Sequence, residues 1–432
     1  MSEPDLSVNF AGIEAPNPFW LASAPPTNSG DQVMRAFEAG WGGAVWKTLG
    51  EPLTNVSSRF GAVDYGGENM VGFNNIELIT DRPLEDNFRE IEEVKEHYPE
   101  HAVIVSLMVD SREDWRDIIE RSIDAGADGL ELNFGCPHGM CERGMGSAVG
   151  QEPEVCEEIT SWAAEFSDVP VIVKLTPNVT DIRPPARAAE RGGGDAVSLI
   201  NTIQSIVGVD LDEGVIEPKV DDKGTNGGYC GPAVRPIALH MVNQIAQDPD
   251  VSIPISGIGG IETWEDALEF IHLGAGSVQV CTSVMHHGFR IVKDMIDGTK
   301  RYLADKGFDS IEEVQGRALP SYEEWGDLDM NHEIVAKIDP DLCIGCQLCE
   351  VACHDAAHQC IHHDEDSRVP YVDEEECIGC NLCQYVCPVP DCIEMVEVDN
   401  GKPSMSWNEF QEAREQGEDV EHPGKSTHQT HF

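Results

Sequence analysis

Two short runs near the C-terminal end leave this chain little freedom there. Cys343, Cys346, Cys349 and Cys353 are followed by Cys377, Cys380, Cys383 and Cys387, so C-x2-C-x2-C-x3-C occurs twice, 34 residues apart. Ten of the 15 cysteines lie between 343 and 392, a clustering that suits metal better than disulfides spread through a large domain. A cubane iron–sulfur cluster needs four thiolates, and one tight loop supplies three of them. In two-cluster proteins the fourth cysteine of each run crosses to the other cluster. Cys343, Cys346, Cys349 and Cys387 are therefore expected to hold one [4Fe–4S] cluster, and Cys377, Cys380, Cys383 and Cys353 the other. The alternative is two zinc sites, but zinc usually pairs two C-x2-C knuckles. Pro388 follows the second run, whereas His354 follows the first; Cys360 and Cys392 fall outside the pattern and read as packing cysteines.

The part of the chain before these runs has a different rhythm. From about residue 18 to 305, short apolar β-branched runs alternate with amphipathic stretches. The runs are FWLASAP (19–25), GAVWKTL (43–49), HAVIVSLMV (101–109), GLELNFG (129–135), PVIVKLTP (170–177), AVSLINT (196–202), SIPISGIGG (252–260) and SVQVCTSV (277–284). Continuous apolar runs fit parallel strands buried on both faces. Between them, stretches such as SREDWRDIIERSIDAG have helical spacing and end in Gly, which favours a helix C-terminus. Eight such units over roughly 250 residues fit a closed barrel better than an open sheet. The expected fold class is α/β: a (β/α)8 TIM barrel over residues 1–325, a two-cluster domain over 326–400 and a polar tail over 401–432. Residues 306–335 read as a polar connector.

Charge narrows the function classes. Asp and Glu number 79 against 28 Lys and Arg, a net charge of −51. Phosphate neutralisation needs clustered Lys and Arg, so no nucleic acid is expected as partner. The acidic residues are dispersed, which fits adaptation to a saline, halophilic cytoplasm better than a docking surface for a basic partner. No apolar run approaches the roughly 18 residues of a membrane span, and MSEPDLSVNF lacks an export pattern. A cytoplasmic protein with no membrane partner is expected.

In a barrel the chemistry lies in the loops after the strands. The glycine-rich NFGCPHGMCERGMG follows the fourth strand, which puts Asn133 and Cys136 at the catalytic mouth. Lys47 and Lys174 lie inside apolar strands, where an unpaired charge is costly. Each needs either a barrel carboxylate or an electron-rich cofactor, and their position towards strand ends favours the cofactor. SGIGGIE after the seventh strand, with CTS on the eighth, has the character of a phosphate site built on glycine turns. Asn75, Asn133 and Asn201–Thr202 fall at strand ends; each carboxamide both donates and accepts, which suits the edge of a pyrimidine.

NFGCPHGMCERGMGSAVGQ, VKLTPNVTDI, NIELI and the tandem cysteine runs together closely resemble the dihydropyrimidine dehydrogenase family, from about Asn17 to Met395. The resembling part is an FMN-binding barrel fused to a ferredoxin-like module; the barrel is also similar to dihydroorotate dehydrogenases. The resemblance implies reduction of the C5–C6 double bond of uracil or thymine, with hydride from FMN and a proton from Cys136. An ordinary thiol, of pKa about 8.5, is protonated at neutral pH and can serve as a general acid. The resemblance further implies that Ser23, Lys47, Thr48, Asn133, Lys174, Gly231, Ile258, Gly259, Gly260, Cys281 and Thr282 line FMN. Asn75, Glu77, Asn133, Asn201 and Thr202 would contact the substrate, with Phe134 and Gly135 nearby. Two positions depart from the family pattern: Gly135 stands where Ser is usual, and Cys141 where Gly is usual.

No G-x-G-x-x-G lies between a strand and a helix with an acidic residue some 20 positions on. Nothing in the chain is then expected to take electrons from NAD(P)H, and the resemblance implies a partner flavoprotein carrying FAD; an oligomer is expected. Two rival functions stay open. One is a dihydroorotate dehydrogenase, against which Glu77 would repel the carboxylate of orotate. The other is an electron-transfer adaptor, which would need no proton donor such as Cys136.

Overall fold

The computed structural model describes residues 3–137, 144–356, 358–363 and 367–424. Cys141, one of the two departures from the family pattern, lies outside them. The chain divides into two compact units, Met1–Pro320 and Ser321–Phe432.

In the first unit all eight apolar runs become strands: β1 (Phe19–Leu21), β2 (Gly43–Leu49), β3 (Ala102–Leu107), β4 (Gly129–Asn133), β5 (Val171–Lys174), β6 (Ala196–Leu199), β7 (Ile255–Ile258) and β8 (Ala275–Val280). They pair in parallel, neighbour to neighbour, and β8 closes on β1. A helix follows each: α1 (Gly30–Ala39), α2 (Leu84–His97), α3 (Arg112–Asp124), α4 (Pro153–Phe166), α5 (Arg183–Arg191), α6 (Arg235–Ala246), α7 (Trp264–His272) and α8 (Ile291–Lys306).

Local chemistry explains where the helices start. Ser29 and Ser111 accept hydrogen bonds from Gln32 and Asp114 amides, and Thr263 forms a reciprocal capping box with Asp266. Proline opens α4 and α5, where the missing N–H costs nothing. Their apolar faces pack on strands that are buried on both sides, and Trp20, Trp41, Trp46 and Trp115 are wholly buried. Truncating one such ring to Ala typically costs about 3–5 kcal/mol.

The barrel continues further along the chain than a polar connector from 306 would allow. Ile311 and Val314 are buried, and the amides of Gly316 and Ala318 donate to Ile271 and His272 carbonyls. Two excursions at the C-terminal end of the barrel have no counterpart in the expected strands. Residues Phe60–Tyr65 and Glu68–Asn75 after β2 join Ile203–Ser205 and Gly227–Cys230 after β6 in one antiparallel sheet. Gly72 is required there: a Cβ at that position would lie 1.6 Å from the Tyr229 hydroxyl.

The second unit carries the repeated cysteines. Ile334–Ile338 pairs antiparallel with Ile393–Glu397, and Ile361–His362 with Tyr371–Val372. The last segment corrects the expected polar tail: Trp407–Glu415 is a helix with a Ser406–Glu409 capping box, and its Phe410 is buried. Asn408 Nδ2 donates to Asp327 Oδ1 at 2.8 Å, tying this helix to the start of its own unit. Among the described residues no helix is long and apolar enough to cross a membrane.

Candidate active site and cluster sites

A cleft opens at the C-terminal end of the barrel, with an empty volume of about 1200 Å³ including open solvent. Ser23, Lys47, Thr48, Asn75, Glu77, Asn133, Cys136, Lys174, Asn201, Thr202, Gly231, Ile258, Gly259, Gly260, Cys281 and Thr282 all line it. They come from the ends of seven strands and from the antiparallel sheet, hundreds of residues apart in sequence.

Hydrogen bonds run from one strand end to the next along the cleft. Ser23 Oγ and Thr48 Oγ1 share a hydrogen bond of 3.2 Å, and Thr48 shares another of 2.9 Å with Ser106. Asn133 Nδ2 donates to Thr48 Oγ1 at 3.0 Å, and Asn201 Nδ2 donates to Asn133 Oδ1 at 3.0 Å. The Thr202 amide then donates to Asn201 Oδ1 at 2.8 Å. Each bond fixes which end of a carboxamide is donor and which acceptor, so Asn133 and Asn201 present set edges. Asn75 is held separately, donating to Gly228 O at 3.2 Å.

Cys136 follows β4 and packs beside Ile79, Met108 and Met145. Its carbonyl accepts the Ser147 amide at 3.0 Å, which anchors the far end of the glycine-rich segment to the start of the 147–150 helical turn.

Phe134 and Gly135, expected beside the substrate, do not line the cleft. Phe134 is buried edge-on against Trp115, and its amide is used by Leu132 and Lys174 carbonyls. The Gly135 amide donates to Asn133 Oδ1 at 3.3 Å. A Cβ on Gly135 would fall 2.4 Å from Asn201 Cβ, so Ser could not stand there without displacing Asn201. The departure at 135 thus fits the position of Asn201 in this chain.

Both strand lysines have carboxylate partners, and both still face the cleft. Lys47 pairs with Glu77, and Lys174 Nζ lies 3.3 Å from Glu131 Oε1. Glu131 has no solvent exposure and also accepts from Ser198 Oγ at 2.8 Å and Gln279 Nε2 at 3.0 Å. Burial of a carboxylate is costly unless hydrogen bonds and a charged partner of this kind surround it.

Cys281 and Thr282 lie beyond β8, not on it: Cys281 precedes the short helix Thr282–His287. Thr282 Oγ1 donates to Cys230 Sγ at 3.3 Å. Burial pushes the Cys230 thiol up to about 11 and, with Cys230 adding to it, the Cys281 thiol up to about 12. Both remain neutral SH groups at physiological pH, polarisable walls rather than nucleophiles.

This donor set fits a flavin nucleotide on two observations. Gln279 Oε1 is a buried acceptor in the cleft wall with no hydrogen-bond partner among the described residues. Gly259 and Gly260 have φ of 134° and 73°, and a Cβ on either would strike Ala238 or Arg235 at 2.8 Å. Only glycine makes this turn, and it brings bare backbone to the cleft, as close approach of a phosphate requires.

The second unit contains two small cavities. Cys343, Cys346, Cys349 and Cys387 line one, and Cys353, Cys377, Cys380 and Cys383 the other. These are the crossed sets that the spacing predicts. Thiolates on one zinc ion, at about 2.3 Å from it, would sit near 3.8 Å from one another. Here no three of the described ligand thiols converge within 4.8 Å. They ring a cavity, which suits a cubane and not a single ion. Cys360 and Cys392 are buried, each in the wall of one cavity, with Cys360 Sγ 3.5 Å from Cys353 Sγ.

Comparison with known proteins agrees with both halves. The dihydroorotate dehydrogenase family matches residues 5–303, and a 4Fe-4S dicluster domain matches residues 336–395. The NAD-dependent dihydropyrimidine dehydrogenase subunit PreA of Escherichia coli K12 is 43% identical over 400 residues, 92% of this chain and 97% of its own. The chain belongs to the PreA family of dihydropyrimidine dehydrogenase subunits. The chloroplastic dihydropyrimidine dehydrogenase (NADP(+)) of Arabidopsis thaliana is 42% identical over 340 residues, 76% of this chain and 80% of its own. The catalytic subunit of dihydroorotate dehydrogenase B (NAD(+)) of Thermococcus kodakarensis is 37% identical over 321 residues, 74% of this chain and all of its own. As a member of the family, this PreA-type chain is an oxidoreductase of CH–CH bonds, with FMN in its barrel and two [4Fe–4S] clusters in its second unit.

Several cleft residues escaped the sequence reading. Phe60, Phe73 and Tyr229 sit on the antiparallel sheet, which has no strong periodicity to announce it. Gln279 in the cleft wall, and Glu131 behind Lys174, did carry a signal: each is a polar residue inside an apolar strand, the same mark that singles out Lys47 and Lys174.

Proposed function

We propose that this chain reduces the C5–C6 double bond of an uncharged pyrimidine, uracil or thymine, with Cys136 as the general acid. The observation that carries the reading is that Cys136 shares one cleft with Asn75, Asn133 and Asn201. A relay of electrons alone needs neither a thiol at the cleft wall nor three oriented carboxamides.

Ser23, Thr48, Lys174, Gly231, Ile258, Gly259, Gly260, Cys281 and Thr282 would hold FMN, which supplies hydride to C6 when bound. Asn75, Asn133, Asn201 and Thr202 bind the alternating N–H and C=O edge of the ring. Cys136 holds its proton on Sγ until carbon C5 gains negative character, then gives it up, which leaves a thiolate to be reprotonated from solvent. The charge of the cleft favours a neutral ring over orotate. Among the described lining residues the cations are Lys47 and Lys174, and each is engaged by a carboxylate. A substrate carboxylate would meet Glu77 with no uncommitted cation beside it.

Electrons would arrive from NAD(P)H through the FAD of the partner and then the two clusters. Supply of uracil, thymine and orotate to the anaerobic chain, with dithionite or reduced ferredoxin as donor, tests the reading. Uracil and thymine are expected to be reduced and orotate not; preferential orotate reduction would establish the dihydroorotate reading instead. NADH without the partner is expected to leave the flavin oxidised, as judged by its absorbance in stopped flow.

The acidic surface supports work in a saline cytoplasm. With a net charge of −51, self-repulsion weakens as the Debye length falls from about 10 Å at 0.1 M salt to about 3 Å at 1 M. Tm is expected to climb with KCl across that range, and a flat profile would count against saline adaptation.

A further inference from the structure

Glu262, His286 and His287 have no part in the chemistry described above. Glu262 comes two residues after the Gly259–Gly260 turn that follows β7, and it lines the cleft. His286 and His287 end the short helix Thr282–His287 that follows β8, and both are exposed. One imidazole nitrogen from each histidine and one carboxylate oxygen of Glu262 all lie within 4.8 Å of one another. The two imidazole rings are 4.0 Å apart, centroid to centroid. Among the described residues this is the one convergence of three such donors.

We propose that Glu262, His286 and His287 form a binding site for a zinc-class divalent ion at the end of the cleft. Two imidazoles and one carboxylate are a ligand set that zinc takes in open sites, with a fourth position left for water or another ligand. On zinc, ligand atoms about 2.0–2.1 Å from the ion stand near 3.3 Å from one another. Donors already within 4.8 Å reach that spacing by small side-chain rotations, and both histidines are exposed. Carboxylates alone would argue nothing in a chain this acidic. Paired imidazoles do, because they select against Mg²⁺ and Ca²⁺, which prefer oxygen, and favour Zn²⁺, Ni²⁺ and Cu²⁺.

The placement gives the site a consequence. Glu262 belongs to the loop after β7 and the histidines to the helix after β8, the two segments that carry Gly259, Gly260, Cys281 and Thr282. An ion held by all three side chains fastens these segments together at one end of the cleft. The inference does not depend on which pyrimidine the cleft accepts.

Equilibrium dialysis of the cluster-loaded chain against Zn²⁺ tests it, in about 1 M KCl, where a Debye length of about 3 Å suppresses diffuse cation binding. One zinc per chain is expected beyond the cluster iron, with iron content unchanged and no displacement by excess Mg²⁺. Glu262→Gln and His287→Asn are each expected to weaken binding at least about tenfold, the loss typical of removing even an outer partner of a metal. His286→Asn, a change at an exposed position, is the second variant and should do the same. Tm measured without zinc checks that the variants remain folded. Zinc bound equally well by wild type and all three variants would place it elsewhere and overturn the proposal. So would displacement by Mg²⁺, or no retained zinc at all.

Discussion

The two units of this chain are held together by different means. The barrel unit buries four whole tryptophans and dozens of aliphatic side chains between strands and helices. In the cluster unit, the central group of buried residues is Val335, Ala336, Ile361 and Ile393 together with six cysteines. A core made largely of thiols has small side chains, each burying little apolar area, and its ligand sets ring two cavities. Iron and sulfide therefore act as core material here, while FMN enters a barrel that is already packed. Metal binding in such a unit is folding free energy.

Removal of iron should break the comparison most sharply. After anaerobic chelation, amides of Ile334–Ile338 and Ile393–Glu397 are expected to lose hydrogen-exchange protection, while β1–β8 keep theirs. Protection retained in both would mean that the cysteine core holds without its clusters.

Next in size is a change that leaves both cores intact. Cys136→Ala should retain FMN and both clusters yet slow pyrimidine reduction by about 10²- to 10⁴-fold, the usual worth of a general acid. Turnover close to wild type would remove Cys136 from the chemistry.

A smaller effect belongs to the barrel's outer shell. Glu90 accepts the Gly30 amide at 2.8 Å and is gripped by Arg82, so one carboxylate joins the start of α1 to α2. The Arg82 hydrogen bonds hold its pKa below the usual carboxylate value. Its contribution is therefore complete above the unfolded carboxylate range and lost as pH falls through the lowered folded value. Glu90→Gln should cost about 1–2 kcal/mol at neutral pH, and the difference from wild type should close in acid. A gap that persists below the carboxylate range in urea titrations would assign the loss to packing.

The smallest expected effect is Cys156→Ala. This thiol is buried in the barrel, where burial pushes it up to about 12. Its loss should cost only about 1 kcal/mol, since a single sulfur leaves a small cavity. Cys353→Ala, in contrast, should abolish one cluster's EPR signal. If the two substitutions had like effects, the contrast between thiols as packing and thiols as ligands would fail.

Much of this architecture was legible in the residues because it rests on short-range rules. Thiolate spacing selects a cluster, and the crossed sets follow from the length of each run. Eight apolar runs at barrel spacing announce eight buried parallel strands, and all eight form. The glycine-rich loop after GLELN marks the mouth, so the sequence alone puts Cys136 and Asn133 there.

The sequence is silent where distant parts of the chain meet. Lys47 and Lys174 stand out as buried charges, but an isolated strand does not reveal that Glu77 and Glu131 pair with them. Residues 401–424 look polar, yet Phe410 finds a buried place once Ser406 caps its helix. The antiparallel sheet over the cleft pairs segments some 150 residues apart, and Gly72 gives way to Tyr229 only when they pair. Composition and spacing settle the chemistry that each segment can support. Which side chain neutralises, orients or excludes which is a matter of closure, because the barrel brings together strand ends that are unrelated along the chain.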